Sequence, residues 1–225
     1  MSGPQGIQTV EHQVETAVST LLQGGLVAFP TDTLYALGAN AFIEDAVRRV
    51  YQVKHRPLEM ALPLLLASAT DMKKAAVHIP QIAWDLAERF WPGALTLILH
   101  KGHSISSLVT AGKGTVAVRV PNHPLALKLI EATGAPLTGT SANRFGESEP
   151  ATAKEVRQQL GEEVDMILDG GACPLEVAST IVDMTSDIPQ IVREGAISTS
   201  LLGQVCPGIG KAVQGAEMGK EGVAL

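Results

Sequence analysis

A chain of 225 residues with 45% hydrophobic and 18% charged side chains is long and apolar enough for one large packed core or two small ones. Its net charge of −6 argues against bulk attraction to nucleic acid, although a local basic hollow survives that objection. No apolar run approaches the ~20 residues of a membrane helix, and Glu11 and Glu15 stand where a signal peptide would be basic, so a cytoplasmic protein without a membrane anchor is expected.

Residues 7–23 predict a first helix, with Ile7, Val10, Val14, Ala17, Val18, Leu21 and Leu22 at helical spacing and Gly24-Gly25 ending it. Leu26 to Phe29 reads as a short buried strand, left by the loop Pro30-Thr31-Asp32-Thr33. Glu44 to Lys54 predicts a helix whose apolar face is Ala46, Val47, Val50, Tyr51 and Val53. Pro57 disfavours helical angles at Arg56, so the chain is expected to run extended there. A strand at Leu62 to Ala67 and helical patterns around 70–77 and 80–90 follow, before Trp91-Pro92-Gly93 breaks the chain. Ala94 to Leu99 and Thr115 to Val120 read as strands, Pro124 to Ala132 as a helix, Pro136 to Thr140 as a strand and Thr152 to Leu160 as a helix. Asp165 to Leu168, Ser179 to Met184 and Gln190 to Val192 complete a strand-rich end. Some of these late strands are joined by loops too short for a crossover helix, which excludes a regular βαβ repeat. The expected class is therefore α/β or α+β, with a twisted open sheet of mixed strand direction and flanking helices. Residues 1–200 read as one domain; the glycine-punctuated, polar stretch 201–225 reads as a loosely ordered tail.

The polar residues that interrupt this apolar pattern are the candidates for chemistry. Lys54 and Arg56 are spaced i and i+2; in an extended segment both side chains point the same way, as a grip on a triphosphate or a carboxylate requires. Taken alone they read first as a solvated basic helix end. Thr138-Gly139-Thr140-Ser141-Ala142-Asn143 offers small residues that let a ligand approach the backbone, and hydroxyls and an amide for phosphate or ribose; alone it reads first as a polar turn with Asn143 capping local backbone. Thr31 and Thr33 sit at the carboxyl end of a strand, where open α/β sheets tend to bind ligands, or else Asp32 makes an Asx turn. Arg119 ends a Val- and Ala-rich strand, where it either binds a carboxylate or sits in water on a sheet edge. Ser179-Thr180 and Arg193-Glu194-Gly195 flank the last strands as site residues or as turns. His100 and His103 lack a third partner for zinc, Asp169-Gly170-Gly171 is too short for an EF-hand, and neither phosphate-loop nor nucleophile-elbow glycine patterns occur. Cys173 and Cys206 share no metal-type spacing and are expected to be free thiols.

Seven segments in order carry a resemblance: Pro30-Thr31-Asp32-Thr33-Leu34-Tyr35, Lys54-His55-Arg56-Pro57, Trp91-Pro92-Gly93, Val116-Ala117-Val118-Arg119-Val120-Pro121, Ser141-Ala142-Asn143, Ser179-Thr180-Ile181-Val182-Asp183 and Arg193-Glu194-Gly195. Together, over roughly residues 10–197, the chain resembles the YrdC/Sua5 family of threonylcarbamoyl-AMP synthases, in their single-domain form. The resemblance implies a sheet wrapped around a large basic concavity. It implies an enzyme that joins L-threonine, bicarbonate or CO2, and ATP into L-threonylcarbamoyladenylate and pyrophosphate. A separate transferase complex then builds N6-threonylcarbamoyladenosine at position 37 of tRNAs. Lys54 and Arg56 are then expected to hold the triphosphate as exposed catalytic cations. Ser141, Asn143, Thr115 and Arg193 complete the ATP site, while Arg119, Thr31 and Ser179 take the threonine. Mg2+ is expected on the ATP oxygens, with no metal ligand from protein side chains and no organic cofactor. The sequence departs from the family's habit at Ala36, and at Met60-Ala61, where a polar residue and proline are common. Two other readings are a domain like that of hydrogenase-maturation carbamoyltransferases, and a factor that binds double-stranded RNA or tRNA without making an adenylate; scarce aromatics (4%) leave the latter few bases to stack.

Overall fold

A computed structural model describes residues 10–211. Its elements run α1 (Val10–Leu22), β1 (Val27–Phe29), β2 (Ala36–Gly38), α2 (Glu44–Lys54), β3 (Leu64–Leu65), α3 (Met72–Ala75), β4 (Ala76–Val77), α4 (Gln81–Phe90), β5 (Leu95–Lys101), β6 (Thr115–Arg119) and α5 (Pro124–Thr133). They continue with β7 (Leu137–Thr138), β8 (Thr140–Ser141), α6 (Ala153–Leu160), β9 (Met166–Ile167), β10 (Thr180–Asp183), β11 (Gln190–Arg193), α7 (Thr199–Val205) and β12 (Gly210–Lys211).

The expected single sheet is two. The larger runs β12-β11-β10-β5-β6-β3-β7, with β4 also paired to β5; the smaller runs β8-β2-β1-β9. Both are of mixed direction: β5 is antiparallel to β6 and parallel to β10, and β1 is antiparallel to β2 and parallel to β9. Arg119 is therefore on an interior strand, since β6 is paired on one side to β5 and on the other to β3. α1 and α5 pack through Val14, Ala17, Leu21, Leu129 and Ile130 on Val27 and Phe29 of the smaller sheet and on Leu137 at the edge of the larger one. A larger core of Val47, Val50, Leu64, Leu86, Leu95, Leu97, Val118 and Val156 lies under α2, α4 and α6.

The expected strand Pro136 to Thr140 is broken at Gly139, where the chain leaves the larger sheet for the smaller one. The crossing is stitched on both sides. Thr138 Oγ1 donates to Leu37 O and accepts from Ala39 N–H, and Gly139 N–H donates to Pro63 O. A Cβ at Gly139 would lie 2.5 Å from Leu65 Cγ, so a side chain cannot be added without moving a buried leucine.

Other boundaries shift for local reasons. The helical pattern at 70–77 is a 3-10 turn and the four-residue α3, because Ala76 and Val77 are captured as β4 opposite Lys101 and His100. The three residues of β2 are too short to announce themselves by alternation. Thr152 caps α6 in a capping box with Glu155. The expected boundary at residue 200 falls inside α7, whose Leu202 is fully buried beside Cys206, and β12 pairs with β11, so residues 201–211 are part of the fold. A short amphipathic turn followed by two strand residues carries too little periodicity to separate from a tail. Residues 7–9 of the first predicted helix, and 212–225 of the expected tail, lie outside the described residues. Among the described residues no helix is long and apolar enough to cross a membrane.

Gly139→Ala should lower stability by about 1–3 kcal/mol, the usual cost of overpacking a close-packed site, read as a fall in denaturant midpoint at unchanged slope.

Candidate functional site

The end of α2 sets the geometry. Glu44 and Asp45 sit at its positive end, Lys54 is its last residue, and His55 closes it in the left-handed region at φ 52°, with its N–H on Gln52 O and that of Arg56 on Tyr51 O. Lys54 and Arg56 are thus brought to one side by a left-handed reversal, not by the extended segment that Pro57 suggested. Proline restricts only the residue before it.

Lys54 is 2% exposed, which corrects the expectation of a free cavity cation. Its ammonium donates to Ser141 O (2.5 Å), Asn143 O (2.7 Å) and Asn143 Oδ1 (3.1 Å). Ser141 Oγ donates to the same Oδ1 at 2.6 Å, and Asn143 Nδ2 donates to Glu147 O, which fixes the amide orientation. Burial, helped by the Arg56 guanidinium and opposed by Glu149, pushes the Lys54 amine down to about 7. Arg56 donates through Nε to Met60 O and through Nη2 to Ala61 O, so the loop keeps its shape through main-chain carbonyls, whichever side chains occupy those two positions.

Arg119 is not in water at a sheet edge. Its Nη2 meets Asp32 Oδ1 at 2.5 Å, its Nη1 donates to Thr33 Oγ1 at 2.8 Å and its Nε donates to Gly93 O at 2.8 Å. Asp32 also accepts from Asn122 N–H, so it ties β6 to the 30s loop and does not form an Asx turn. The turn is centred on Thr31, whose Oγ1 accepts from Thr33 N–H and Leu34 N–H, donates to Leu34 O, and receives the Thr33 hydroxyl. The Thr31 hydroxyl donor is therefore spent within its own loop.

One cavity of about 650 Å³ is lined by Lys54, Arg56, Arg119, Arg193, Thr31, Ser141, Asn143 and Ser179. Glu147 and Glu149 line it as well, so four cationic side chains face two carboxylates there. Ser179 shares its hydroxyl hydrogen bond with Thr96 Oγ1 at 2.8 Å, and its carbonyl accepts from Arg193 Nη2 at 2.9 Å. Thr115 does not line this cavity: it begins β6 opposite His100, at the end of the strand remote from Arg119. Sequence reasoning overlooked Asp32 as an ion-pair partner, Thr96, Glu149 and Phe145, all of which border the cavity or hold its lining. An arginine within an otherwise apolar strand was the available signal for Asp32, because a buried guanidinium needs a carboxylate.

Arg119→Ala should cost about 3–5 kcal/mol by leaving Asp32 buried without its cation, and Arg119→Lys should not rescue it, since one ammonium cannot replace a fork reaching three separate acceptors; denaturant unfolding reads both. The Lys54 amine titrates near 7 when folded and at its usual higher value when unfolded. Between those values the unfolded chain binds more protons, so this group adds stability as pH rises. Wild-type protein should therefore gain stability relative to Lys54→Met from about pH 7 to pH 10, measured as the difference in unfolding free energy at each pH.

The sequence profile described as telomere recombination, that of the Sua5/YciO/YrdC family, matches residues 19–195. A Bacillus subtilis protein named threonylcarbamoyl-AMP synthase is 42% identical over 193 residues, covering 85% of this chain and 56% of the relative, so this chain spans little more than half of that protein. A Mycobacterium tuberculosis protein named putative threonylcarbamoyl-AMP synthase is 36% identical over 192 residues, covering 85% of this chain and 88% of the relative. The crystal structure of Pyrococcus abyssi Sua5 complexed with L-threonine superposes with a TM-score of 0.90 at 37% identity, covering 95% of this chain and 64% of that one. With the profile and these relatives spanning the segments that build the cavity, the chain belongs to the Sua5/YciO/YrdC family.

Proposed function

We propose that this protein is an L-threonylcarbamoyladenylate synthase, forming threonylcarbamoyl-AMP and pyrophosphate from L-threonine, bicarbonate or CO2, and ATP. The observation that carries this reading is the single cavity in which Lys54, Arg56 and Arg193 gather beside Ser141 and Asn143, in a chain whose relatives bear that name. The threonine amine adds to CO2 with loss of a proton, and the resulting carbamate oxygen attacks the α-phosphorus as the bond to pyrophosphate breaks. Negative charge then grows on the phosphoryl and departing oxygens, and fixed cations are the main requirement. Arg56 and Arg193 face that charge directly. Lys54 acts from beneath, holding the Ser141 and Asn143 backbone in place, with its ammonium favoured further when a polyanion arrives.

Arg119 has five N–H groups and uses three within the protein, leaving two for the carboxylate of threonine. Ser179 and Thr96 offer a paired hydroxyl to the amino acid's polar groups. Thr31 contributes shape, not a hydrogen bond. Mg2+ bound through the triphosphate would neutralise its oxygens. No nucleophilic side chain is needed, and none is assigned. The product would pass to a threonylcarbamoyl transferase complex acting on tRNA in the cytoplasm.

Purified protein with Mg2+ should release pyrophosphate from ATP only when threonine and bicarbonate are both present, and 13C-bicarbonate should appear in the adenylate by mass spectrometry. ATP and RNA binding without that release would replace the synthase with an RNA-binding role.

A further inference from the structure

We infer that Phe145 is the platform on which the purine base of the bound nucleotide stacks, an inference that rests on the ATP-binding reading above and adds to it the residue that holds the base. Aromatic side chains number only eight in the whole chain, and two of them line the cavity: Tyr35 and Phe145. Tyr35 is fully buried, with its hydroxyl on Gly171 O at 2.8 Å, so its ring is closed off. Phe145 is 36% exposed, an apolar ring left in water on the wall of a polar hollow. Such exposure costs free energy until something flat and apolar covers it.

The backbone that carries the ring is also tied down. Phe145 N–H donates to Lys54 O at 2.8 Å, Glu147 N–H closes the turn on Arg144 O at 3.1 Å, and Asn143 Nδ2 bonds Glu147 O at 2.8 Å. The turn bearing the ring is thus bolted to the residue that organises the proposed phosphate end. Phe145 lies two residues beyond Asn143, at most about 7 Å of chain, so phosphate and base contacts come from one short segment. Stacking accepts any base through its π-face, which separates nucleotides from bare polyphosphates more strongly than one base from another.

The test is calorimetric titration of Mg2+-ATP and of Mg2+-tripolyphosphate into wild-type and Phe145→Ala full-length protein. Phe145→Ala should bind ATP about tenfold more weakly while tripolyphosphate affinity stays unchanged. Unchanged ATP affinity in the variant would overturn the platform and leave the synthase reading intact. An equal loss of both ligands would also overturn it, making Phe145 a support for the turn. Wild-type protein that binds neither ligand would overturn the nucleotide reading itself.

Discussion

The contact on which the site depends is the Lys54 ammonium against two backbone carbonyls and one side-chain amide oxygen of the 141–143 segment. Three acceptors converge on one cation across 87 to 89 residues of sequence. Burial and the Arg56 guanidinium drive the amine toward neutrality while Glu149 favours its charged form, so the group is poised and not simply basic. A phosphate placed near it would tilt that balance toward the charge. The same lysine thus shapes the loop when the cavity is empty and responds electrostatically when it is filled.

A second network does the equivalent around Arg119. Arg119 reaches Asp32, Thr33 and Gly93, joining an interior strand, the loop after β1 and the turn after α4. Buried ion pairs of this kind are weak arguments for stability, because desolvation offsets much of their attraction. Their value here is positional: a fork with acceptors in three segments permits one arrangement of those segments. Rigid walls of this sort let an enzyme oppose developing charge without reorganising first.

The class of fold was readable because helix and strand periodicities are strong where apolar side chains recur, as in α2 and α4. Helices such as α5, with proline in its first turn and Gly134 past its end, match their expected limits within a residue. What local pattern could not carry was pairing. Nothing within Pro136 to Thr140 says that the chain changes sheets at Gly139; that follows from Leu65 approaching from another strand. The site shows the same division. Lys54, Arg56, Ser141, Asn143, Arg119, Ser179 and Arg193 were visible as polar residues interrupting apolar runs, and all line one cavity. Thr31 lines the cavity too, but its hydroxyl closes its own turn, and Thr115 begins β6 at the end away from Arg119 and is not part of the lining. The inward burial of Lys54 was invisible, since its acceptors are carbonyls that every residue type presents alike.

The cavity lining is drawn from the 30s, the end of α2 and the loop into β3, Thr96 on β5, Arg119 on β6, the stretch 139–149, Ser179 just before β10 and Arg193 at the end of β11. No contiguous fragment of the chain encloses it, so a partly synthesised or locally unfolded molecule has no binding site to offer. A ligand that fills the hollow therefore selects the fully assembled chain, adding stability that grows with the logarithm of its concentration above the dissociation constant. The supply of whatever fills the hollow would then set not only how fast the protein works but also how long it survives unfolding and proteolysis.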